Sequence, residues 1–335
     1  MLCIITLHMF ELAQKLMSIP SVTGGEKEMG IFLSNLLHER RYRVEKQFII
    51  PNRFNVLAFA GRPRVILCTH IDTVPPVLPV REDEHYLYGR GACDTKGIIA
   101  AMLEAGDRLR SQAIDNFGFL FVVGEESSGD GAKHANTLSW ESDFVIVGEP
   151  TGNKLATAQK GTLMADIFCK GRSAHSGYPE EGVSAVTGLW SILQECSSAN
   201  WGNDPDLGKG TFNIGVFNGG EACNIVPGAA SASIMVRLVE PRAPAEQRLR
   251  TIVGERAEVK MVAGTDPHRM HVVEGFETMV ASFGSDAPYL DKLGKPLLIG
   301  PGSILDAHTT HEKISRQEMM EGAAIYERLV KKLLS

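Results

Sequence analysis

The chain has 335 residues, enough for roughly two domains of about 150 residues each. Hydrophobic residues make up 44% and charged residues 22%, a balance typical of globular proteins rather than of disordered chains. The net charge of -6, without any run of Lys and Arg, argues against nucleic acid as a partner and favours a small polar substrate.

The first ten residues, MLCIITLHMF, are apolar, but they are too short for a membrane span and lack the charge and cleavage site of a signal peptide. We therefore expect a cytoplasmic protein that does not enter a membrane. The six cysteines are widely spaced and form no CxxC pair, which is typical of reduced thiols and indicates neither a disulfide framework nor a zinc ribbon. They are Cys3, Cys68, Cys93, Cys169, Cys196 and Cys223.

Helices and apolar strands alternate in the first half of the chain. ELAQKLMSI, ended by Pro20, and EKEMGIFLSNLLHER have helical spacing. The apolar runs NVLAFAG, RVILCTHIDTVP, FGFLFVVGEE and DFVIVGEP follow, with the helical segment KGIIAAMLEAGDRLRSQ between the second and the third. This alternation predicts an α/β domain whose sheet is mostly parallel and covered on both faces.

From about Lys160 the pattern changes to that of a second domain. TLMADIFCKG alternates, TFNIGVFNGG and ASASIMVRLV resemble a hairpin, and EVKMVAG is a further strand. EEGVSAVTGLWSILQECSS and EQRLRTIVGER have helical spacing. Buried strands return with KPLLIGPGSI, before a closing helix. We predict a discontinuous catalytic domain, residues 1–160 and 272–335, interrupted by a smaller α+β domain, residues 161–271.

Side chains that can bind metal ions follow the apolar runs of the first domain. In open α/β sheets such positions converge at the carboxyl ends of the strands. Histidine and carboxylate ligands without cysteine are typical of a catalytic zinc site. The candidates are His70, Asp72, Asp94, Glu125, Glu126, Glu149, Asp306, His308 and His311.

Two pairs among these candidates leave simpler alternatives open. On a strand, His70 and Asp72 share a face, so the carboxylate could accept the second imidazole N–H and select the nitrogen that meets a metal ion. A lone histidine in such a run is otherwise a buried structural residue. Glu125 and Glu126 in GEESSG could likewise be an ordinary solvated turn.

Five motifs occur in a fixed order: HxDTVP, GRGxxDxKG, GEExxG, GEPT and GxSAHS. Over nearly the whole chain they resemble the co-catalytic dinuclear zinc hydrolases, which include acetylornithine deacetylase, succinyl-diaminopimelate desuccinylase, aminoacylase and glutamate carboxypeptidase. The resemblance implies a parallel-sheet catalytic domain with an inserted, ferredoxin-like dimerisation or lid domain. It also implies a homodimer and amide hydrolysis through a tetrahedral intermediate.

The resemblance implies two Zn²⁺ ions, for which Co²⁺ could substitute. Asp94 would bridge them, Asp72 would orient His70, and the Asp94–Thr95 peptide would be cis. The role of His311 is left open, since its side chain could support a ligand without binding a metal ion itself. One ion would be held by His70, Asp94 and Glu149, and the other by Asp94, Glu126 and His308.

The charge of this ligand set supports the assignment. Two zinc ions carry +4, and three carboxylates with a bridging hydroxide carry -4, so the cluster is neutral and tolerates partial burial. Glu125 then coordinates nothing and would act as the general base.

The resemblance also implies substrate contacts in the smaller domain. His175 would reach the active site of the partner subunit and stabilise the oxyanion, while Asn224 and Arg237 would bind polar groups and a carboxylate. In related chains an acidic residue stands two positions before this arginine. Met235 occupies that place here, which puts Arg237 in doubt.

The segment APYL, followed by GPGSI and Ala-His, is most similar to acetylornithine deacetylases. We therefore expect an N-acyl amino acid or a dipeptide as substrate. The desuccinylase, aminoacylase, dipeptidase and carboxypeptidase activities stay open, as does a catalytically inactive binding module on the same fold. An inactive member would have lost a ligand or the base, and none is missing.

GRGACD and GPGSIL do not complete a dinucleotide fingerprint. Cys68 and Cys93 are expected to be packing residues.

Overall fold

The computed structural model describes residues 8–138, 140 and 142–335. The apolar N-terminal stretch predicted to be neither span nor signal lies mostly outside the described residues, together with Cys3. The chain forms two compact units. Unit 1 comprises Met1–Thr157, Met270–Met279 and Ser285–Ser335, and unit 2 comprises Ala158–Arg269 and Val280–Gly284. The domain bounds expected from the sequence, 161–271 for the smaller domain, stay a prediction.

The helices, in chain order, are α1 (Met9–Met17), α2 (Lys27–Glu39), α3 (Gly97–Ser111), α4 (Asp130–Ala135), α5 (Ala185–Ser198), α6 (Arg242–Val253) and α7 (Arg316–Leu334). The strands are β1 (Arg43–Ile50), β2 (Arg53–Phe59), β3 (Val65–His70), β4 (Arg81–Glu82), β5 (Tyr86–Tyr88), β6 (Phe117–Val122), β7 (Phe144–Val147), β8 (Leu155–Gln159), β9 (Gly161–Lys170), β10 (Ala174–His175), β11 (Asn203–Asp204), β12 (Gly208–Lys209), β13 (Thr211–Gly219), β14 (Ile225–Val226), β15 (Ala229–Leu238), β16 (Glu258–Thr265), β17 (His268–Arg269), β18 (Thr278–Ala281), β19 (Lys295–Leu298) and β20 (Lys313–Ser315). Within the described part of the chain, no helix is both long and apolar enough to cross a membrane.

Unit 1 is built on a six-stranded sheet with the order β1-β2-β6-β3-β7-β19. The neighbours β6/β3, β3/β7 and β7/β19 are parallel, whereas β1 and β2 add an antiparallel edge. Every residue of β3 and β6 is buried, so both faces of the sheet are covered. The predicted α/β class with a mostly parallel sheet is confirmed.

The four helices that the sequence predicts in unit 1 are present, with ends within about two residues of the predicted ones, whereas α4 was not predicted. α1 ends at Met17, before Pro20, and α7 begins after Ser315, whose hydroxyl accepts the Glu318 N–H at 3.4 Å. The buried Tyr326 hydroxyl of α7 donates to the Ile299 carbonyl at 2.8 Å. This contact ties the closing helix to the segment that follows β19.

Unit 2 contains a four-stranded antiparallel sheet with the order β13-β15-β9-β16. Together with α5 and α6 it follows the strand-helix-strand-strand-helix-strand order of a ferredoxin-like domain. Alternate residues of β9 and β15 are buried, as the sequence pattern predicts. The predicted start of α5 near Glu180 is wrong. Ser184 accepts the Thr187 N–H at 3.2 Å and caps the helix there, so residues 180–183 precede it.

Candidate metal centre

His70 is the last residue of β3, and its imidazole is buried between two carboxyl-bearing segments. Nε2 lies 3.0 Å from Asp94 Oδ1, and Nδ1 lies 2.9 Å from the Asp72 carbonyl oxygen. The Asp72 carboxylate, predicted to accept this N–H, is 3.6 Å away. Asp72 therefore orients His70 mainly through its backbone, which leaves Nε2, directed to Asp94, as the nitrogen available to a metal ion.

The Asp72 carboxylate instead binds the backbone of the segment that follows β6. It accepts the backbone N–H groups of Glu125 at 3.1 Å and Glu126 at 3.2 Å, and the Thr23 hydroxyl at 2.8 Å. Burial would raise the pKa of Asp72, but His70, the Thr23 hydroxyl and the Glu126 N–H lower it below its usual value. Asp72 stays charged and fixes the backbone from which both glutamates project.

Asp94 lies in the turn between β5 and α3. As the resemblance implies, the Asp94–Thr95 peptide is cis. The Thr95 hydroxyl donates to the His70 carbonyl at 2.7 Å, which fastens the turn to β3. Asp94 Oδ1 faces His70, and Oδ2 lies 3.2 Å from His308 Nε2. The two oxygens of one buried carboxylate thus point to different imidazoles.

His308 follows β19 in a loop and takes a left-handed backbone conformation, with φ of 62°. Its Nε2 lies 2.9 Å from Glu126 Oε2. Hydrogen bonds to Asp94 and Glu126 raise the pKa of His308 to about 10. The carboxylates of Asp72 and Asp94 likewise outweigh burial, and they raise the pKa of His70 well above its usual value.

The described residues contain two groups of side chains able to hold a metal ion, with all ligand atoms of a group within 4.8 Å of one another. The groups share Asp94, and neither includes His311 or Asp306. Both offer imidazole nitrogen and carboxylate oxygen without thiolate, a donor set that fits zinc. The groups are His70, Asp94 and Glu149, and Asp94, Glu126 and His308.

Glu125 belongs to neither group, although it neighbours one ligand in sequence. Burial raises its pKa well above the usual value; His70 opposes this rise, whereas the charges of Asp286, Glu126 and Asp94 add to it. The pKa of Glu149 is raised for similar reasons, chiefly burial and the charge of Glu125. The negative charge of the acidic groups here exceeds what two imidazoles neutralise. A divalent cation would supply the missing positive charge.

Sequence reasoning missed the residues that hold the loop between β6 and α4. The buried Asn55 accepts the Val123 N–H at 3.1 Å and donates to the Gly131 carbonyl at 2.9 Å, so it joins both ends of the loop that carries Glu125. Arg53 pairs with Asp130, the first residue of α4, at 2.5 Å. Asn55 was detectable in principle as a polar residue inside the apolar run FNVLAF.

Asp286 is a further residue that the sequence analysis did not single out. It is buried, and within the described chain its Oδ2 has no hydrogen-bond partner. Burial raises the pKa of Asp286 to about 7. The predicted packing role of Cys68 and Cys93 agrees with their burial, which raises the pKa of both thiols well above the usual value.

The predicted substrate-binding residues lie in unit 2. His175 is exposed on β10, which pairs with β14, and the Ser176 N–H donates to the Asn224 carbonyl at 2.9 Å. His175 and Asn224 are therefore neighbours within the unit. Arg237 lies on β15, opposite Thr162 of β9. The roles of these three residues stay predictions.

Comparison with known proteins identifies the family. A family model described as "Peptidase family M20/M25/M40" matches residues 66–332. A "Peptidase M20 domain-containing protein" of Schizosaccharomyces pombe is 36% identical over 339 residues, covering 96% of this chain and 84% of that protein. A "Probable carboxypeptidase" of Aspergillus flavus is 36% identical over 371 residues, covering 94% and 88% of the two chains.

The fold is likewise that of a solved family member. The crystal structure of an M20 family metallo-carboxypeptidase from Sulfolobus solfataricus superimposes with a TM-score of 0.79, at 16% identity, over 98% of this chain and 99% of that one. The family predicted from the five motifs is confirmed, whereas the acetylornithine deacetylase type is not decided by these matches. The chain belongs to the peptidase family M20/M25/M40 and is a hydrolase of amide bonds.

Proposed function

We propose that the chain hydrolyses an amide bond of a small substrate at a centre of two zinc ions. The observation that carries the proposal is the Asp94 carboxylate, whose two oxygens face His70 and His308 separately. A shared carboxylate is the ligand that two metal ions roughly 3.5 to 4 Å apart require. His70 and Glu149 would complete one ligand set, and Glu126 and His308 the other. Co²⁺ accepts the same donors and is the proposed substitute.

When bound, the zinc ions would act as Lewis acids that polarise the amide carbonyl and lower the pKa of water. Glu125 would take a proton from the attacking water and return it to the leaving amine. The raised pKa of Glu125 suits this exchange, because a base works best when its pKa approaches the working pH. Asp72 would keep the backbone of Glu125 in place during the reaction.

Exchanging each glutamate separately should remove different properties. Glu125→Gln should retain zinc and lower kcat by about 100-fold or more, because the amide keeps the size of the side chain but cannot carry the proton. Glu126→Gln should lower the zinc content to about one ion per chain, because one ligand set loses its charged member. Elemental analysis and steady-state kinetics measure the two effects.

The exposed Glu84 provides the matched control, and Glu84→Gln should change neither zinc content nor kcat. Nearly normal turnover of Glu125→Gln with both zinc ions bound would show that another group moves the proton.

Zinc binding should release protons. The raised pKa values of His70 and His308 mean that both imidazoles are protonated at pH 7 in the metal-free protein, so at least about two protons per chain should leave as two ions bind. Zinc affinity should therefore rise with pH up to about 10, the pKa of His308 in the metal-free protein. The His308 proton also stabilises the metal-free fold below pH 6.5, and this stabilisation is lost as the pH rises through about 10.

Calorimetric titration in buffers of different ionisation enthalpy counts the released protons. A binding enthalpy that does not depend on the buffer would contradict the protonated state of the two histidines.

For the substrate we propose an N-acyl amino acid with a free carboxylate, of the acetylornithine type. The APYL and GPGSI segments support the acetyl group, and the name of the Aspergillus flavus relative supports a carboxypeptidase as the second candidate. Both reactions cut the amide bond next to a terminal carboxylate. Within unit 2, burial and the charge of Arg237 lower the pKa of Lys160, which indicates two neighbouring cations suited to that carboxylate.

A hydrolysis panel separates the candidates. Acetylornithine should be cleaved faster than acetylcitrulline, acetyl-lysine, succinyl-diaminopimelate and simple dipeptides in the presence of zinc. Acetylornithine carboxamide should be cleaved at least about tenfold more slowly, because its neutral amide cannot make the charge-assisted hydrogen bonds of the carboxylate. Faster cleavage of N-blocked dipeptides would establish the carboxypeptidase instead, and equal rates for acid and carboxamide would contradict carboxylate recognition.

We further propose a cytoplasmic homodimer in which His175 stabilises the oxyanion in the partner subunit, with Asn224 as a substrate contact. Unit 2 exposes seven large apolar side chains, some of which a subunit contact would cover. They are Phe168, Tyr178, Val183, Trp190, Val216, Phe217 and Val262.

Mixing two inactive variants tests catalysis across the dimer. His175→Ala and Glu125→Gln should each be nearly inactive, because each removes a catalytic group. In the mixed dimer one site would hold an intact Glu125 and receive His175 from the partner, so roughly a quarter of wild-type activity should return after statistical exchange. Light scattering checks that dimers form, and mixed dimers without recovered activity would place His175 in its own subunit's site.

A further inference from the structure

Glu312 is a buried carboxylate that belongs to neither metal-ligand group. It stands four residues after His308, in the same loop, and its side chain has no exposed surface. Its Oε2 accepts a hydrogen bond from the buried Arg90 at 2.6 Å. The pair adds no net charge, so its influence on a nearby site is mainly geometric.

The second oxygen of Glu312 meets the turn that carries the shared aspartate. Oε1 accepts the backbone N–H of Cys93 and that of Asp94, each at 3.3 Å. These N–H groups lie in a buried turn outside any regular sheet or helix ladder, where an unpaired donor would be costly. Glu312 is their acceptor.

Arg90 and the backbone of Glu312 make further hydrogen bonds. Arg90 Nε donates to the Pro76 carbonyl at 3.2 Å, and the Gly89 N–H donates to the Glu312 carbonyl at 3.0 Å. The turn before Asp94 and the loop after His308 therefore share one set of hydrogen bonds. A shift of Glu312 would move a ligand of both ions and the loop of His308 together.

We propose that Glu312 is the positioning residue for the shared ligand Asp94, and that it sets how tightly both metal ions bind. The inference rests on the proposed two-metal centre. Glu312 acts through the backbone of Asp94, because its oxygens are directed to N–H groups and to Arg90. Groups that hold a metal ligand in place typically change metal affinity about 10- to 100-fold when removed.

Two conservative variants separate position from charge. Glu312→Asp keeps the charge but is one methylene shorter, so it cannot reach Arg90 and both N–H groups together. We expect its zinc affinity to fall by about tenfold or more, as measured by chelator competition. Glu312→Gln keeps the length and one acceptor oxygen, and it should lose clearly less. The visible spectrum of the cobalt form should change in Glu312→Asp, because the geometry around Asp94 changes.

A matched control is Asp107→Asn. It breaks the ion pair of Arg40 and Asp107, 2.7 Å long, which joins the residue after α2 to the distal part of α3. This variant should keep wild-type zinc affinity. All affinities are measured below the unfolding temperature of the metal-free variants, so that a change in folding stability does not enter them.

The outcomes are distinguishable. Unchanged zinc affinity in a folded Glu312→Asp would overturn the positioning role. A loss in Glu312→Gln equal to or greater than that in Glu312→Asp would also overturn it, by showing that the charge matters and not the acceptor position. Wild-type protein that binds neither zinc nor cobalt would overturn the proposed function first, and this inference with it.

Discussion

Repulsion between buried carboxylates is the constraint on which the rest of unit 1 depends. Burial raises the pKa of Glu125 and of Glu149; the charges of Glu126 and Asp94 add to the rise at Glu125, and those of Glu125 and Asp94 add to the rise at Glu149. In a site of low dielectric such charges cannot all persist without cations nearby. The two imidazoles are too few to balance them. A pair of divalent ions would, and the shared Asp94 provides the ligand that such a pair needs.

The adjacent Glu125 and Glu126 fit this account without a special turn. Their two N–H groups share the Asp72 carboxylate, which fixes the backbone, while only the Glu126 side chain joins the group of Asp94 and His308. Adjacent residues project differently from one backbone, so one carboxylate can serve a metal ion while its neighbour stays free. Residues 125–128 do form the turn that a local reading favours, but its two acids occupy separate positions.

Much of the centre's rigidity comes from residues that touch no proposed metal position. Asn55 joins the two ends of the loop between β6 and α4, and Asp72 accepts an N–H group within that loop. Glu312 accepts the N–H group of Asp94 in the turn before α3. Each replaces a sheet or helix hydrogen bond that the irregular backbone lacks. A site assembled from strand ends needs such acceptors, because strand ends leave backbone groups unpaired.

The periodicity of the chain was sufficient to predict the α/β class, the alternating strands of unit 2 and most helices, since each depends on neighbours within one element. The start of α5 was missed, because the cap at Ser184 competes with a helical pattern that begins earlier. The motifs also indicated the metal-binding residue types, because imidazole and carboxylate chemistry is a property of single side chains. All seven predicted ligand, base and orienting residues lie at strand ends, turns or loops of unit 1.

Tertiary structure alone decided which atoms meet. The sequence suggested that the Asp72 carboxylate accepts the His70 N–H, but the Asp72 backbone carbonyl lies nearer to His70. The carboxylate accepts N–H groups of the turn after β6 instead, which is distant in sequence. Glu312 is 218 residues from the N–H group of Asp94 that it accepts, and no periodicity connects the two. Spacing along a chain encodes contacts within an element, whereas the partners of buried polar groups depend on how separate elements pack.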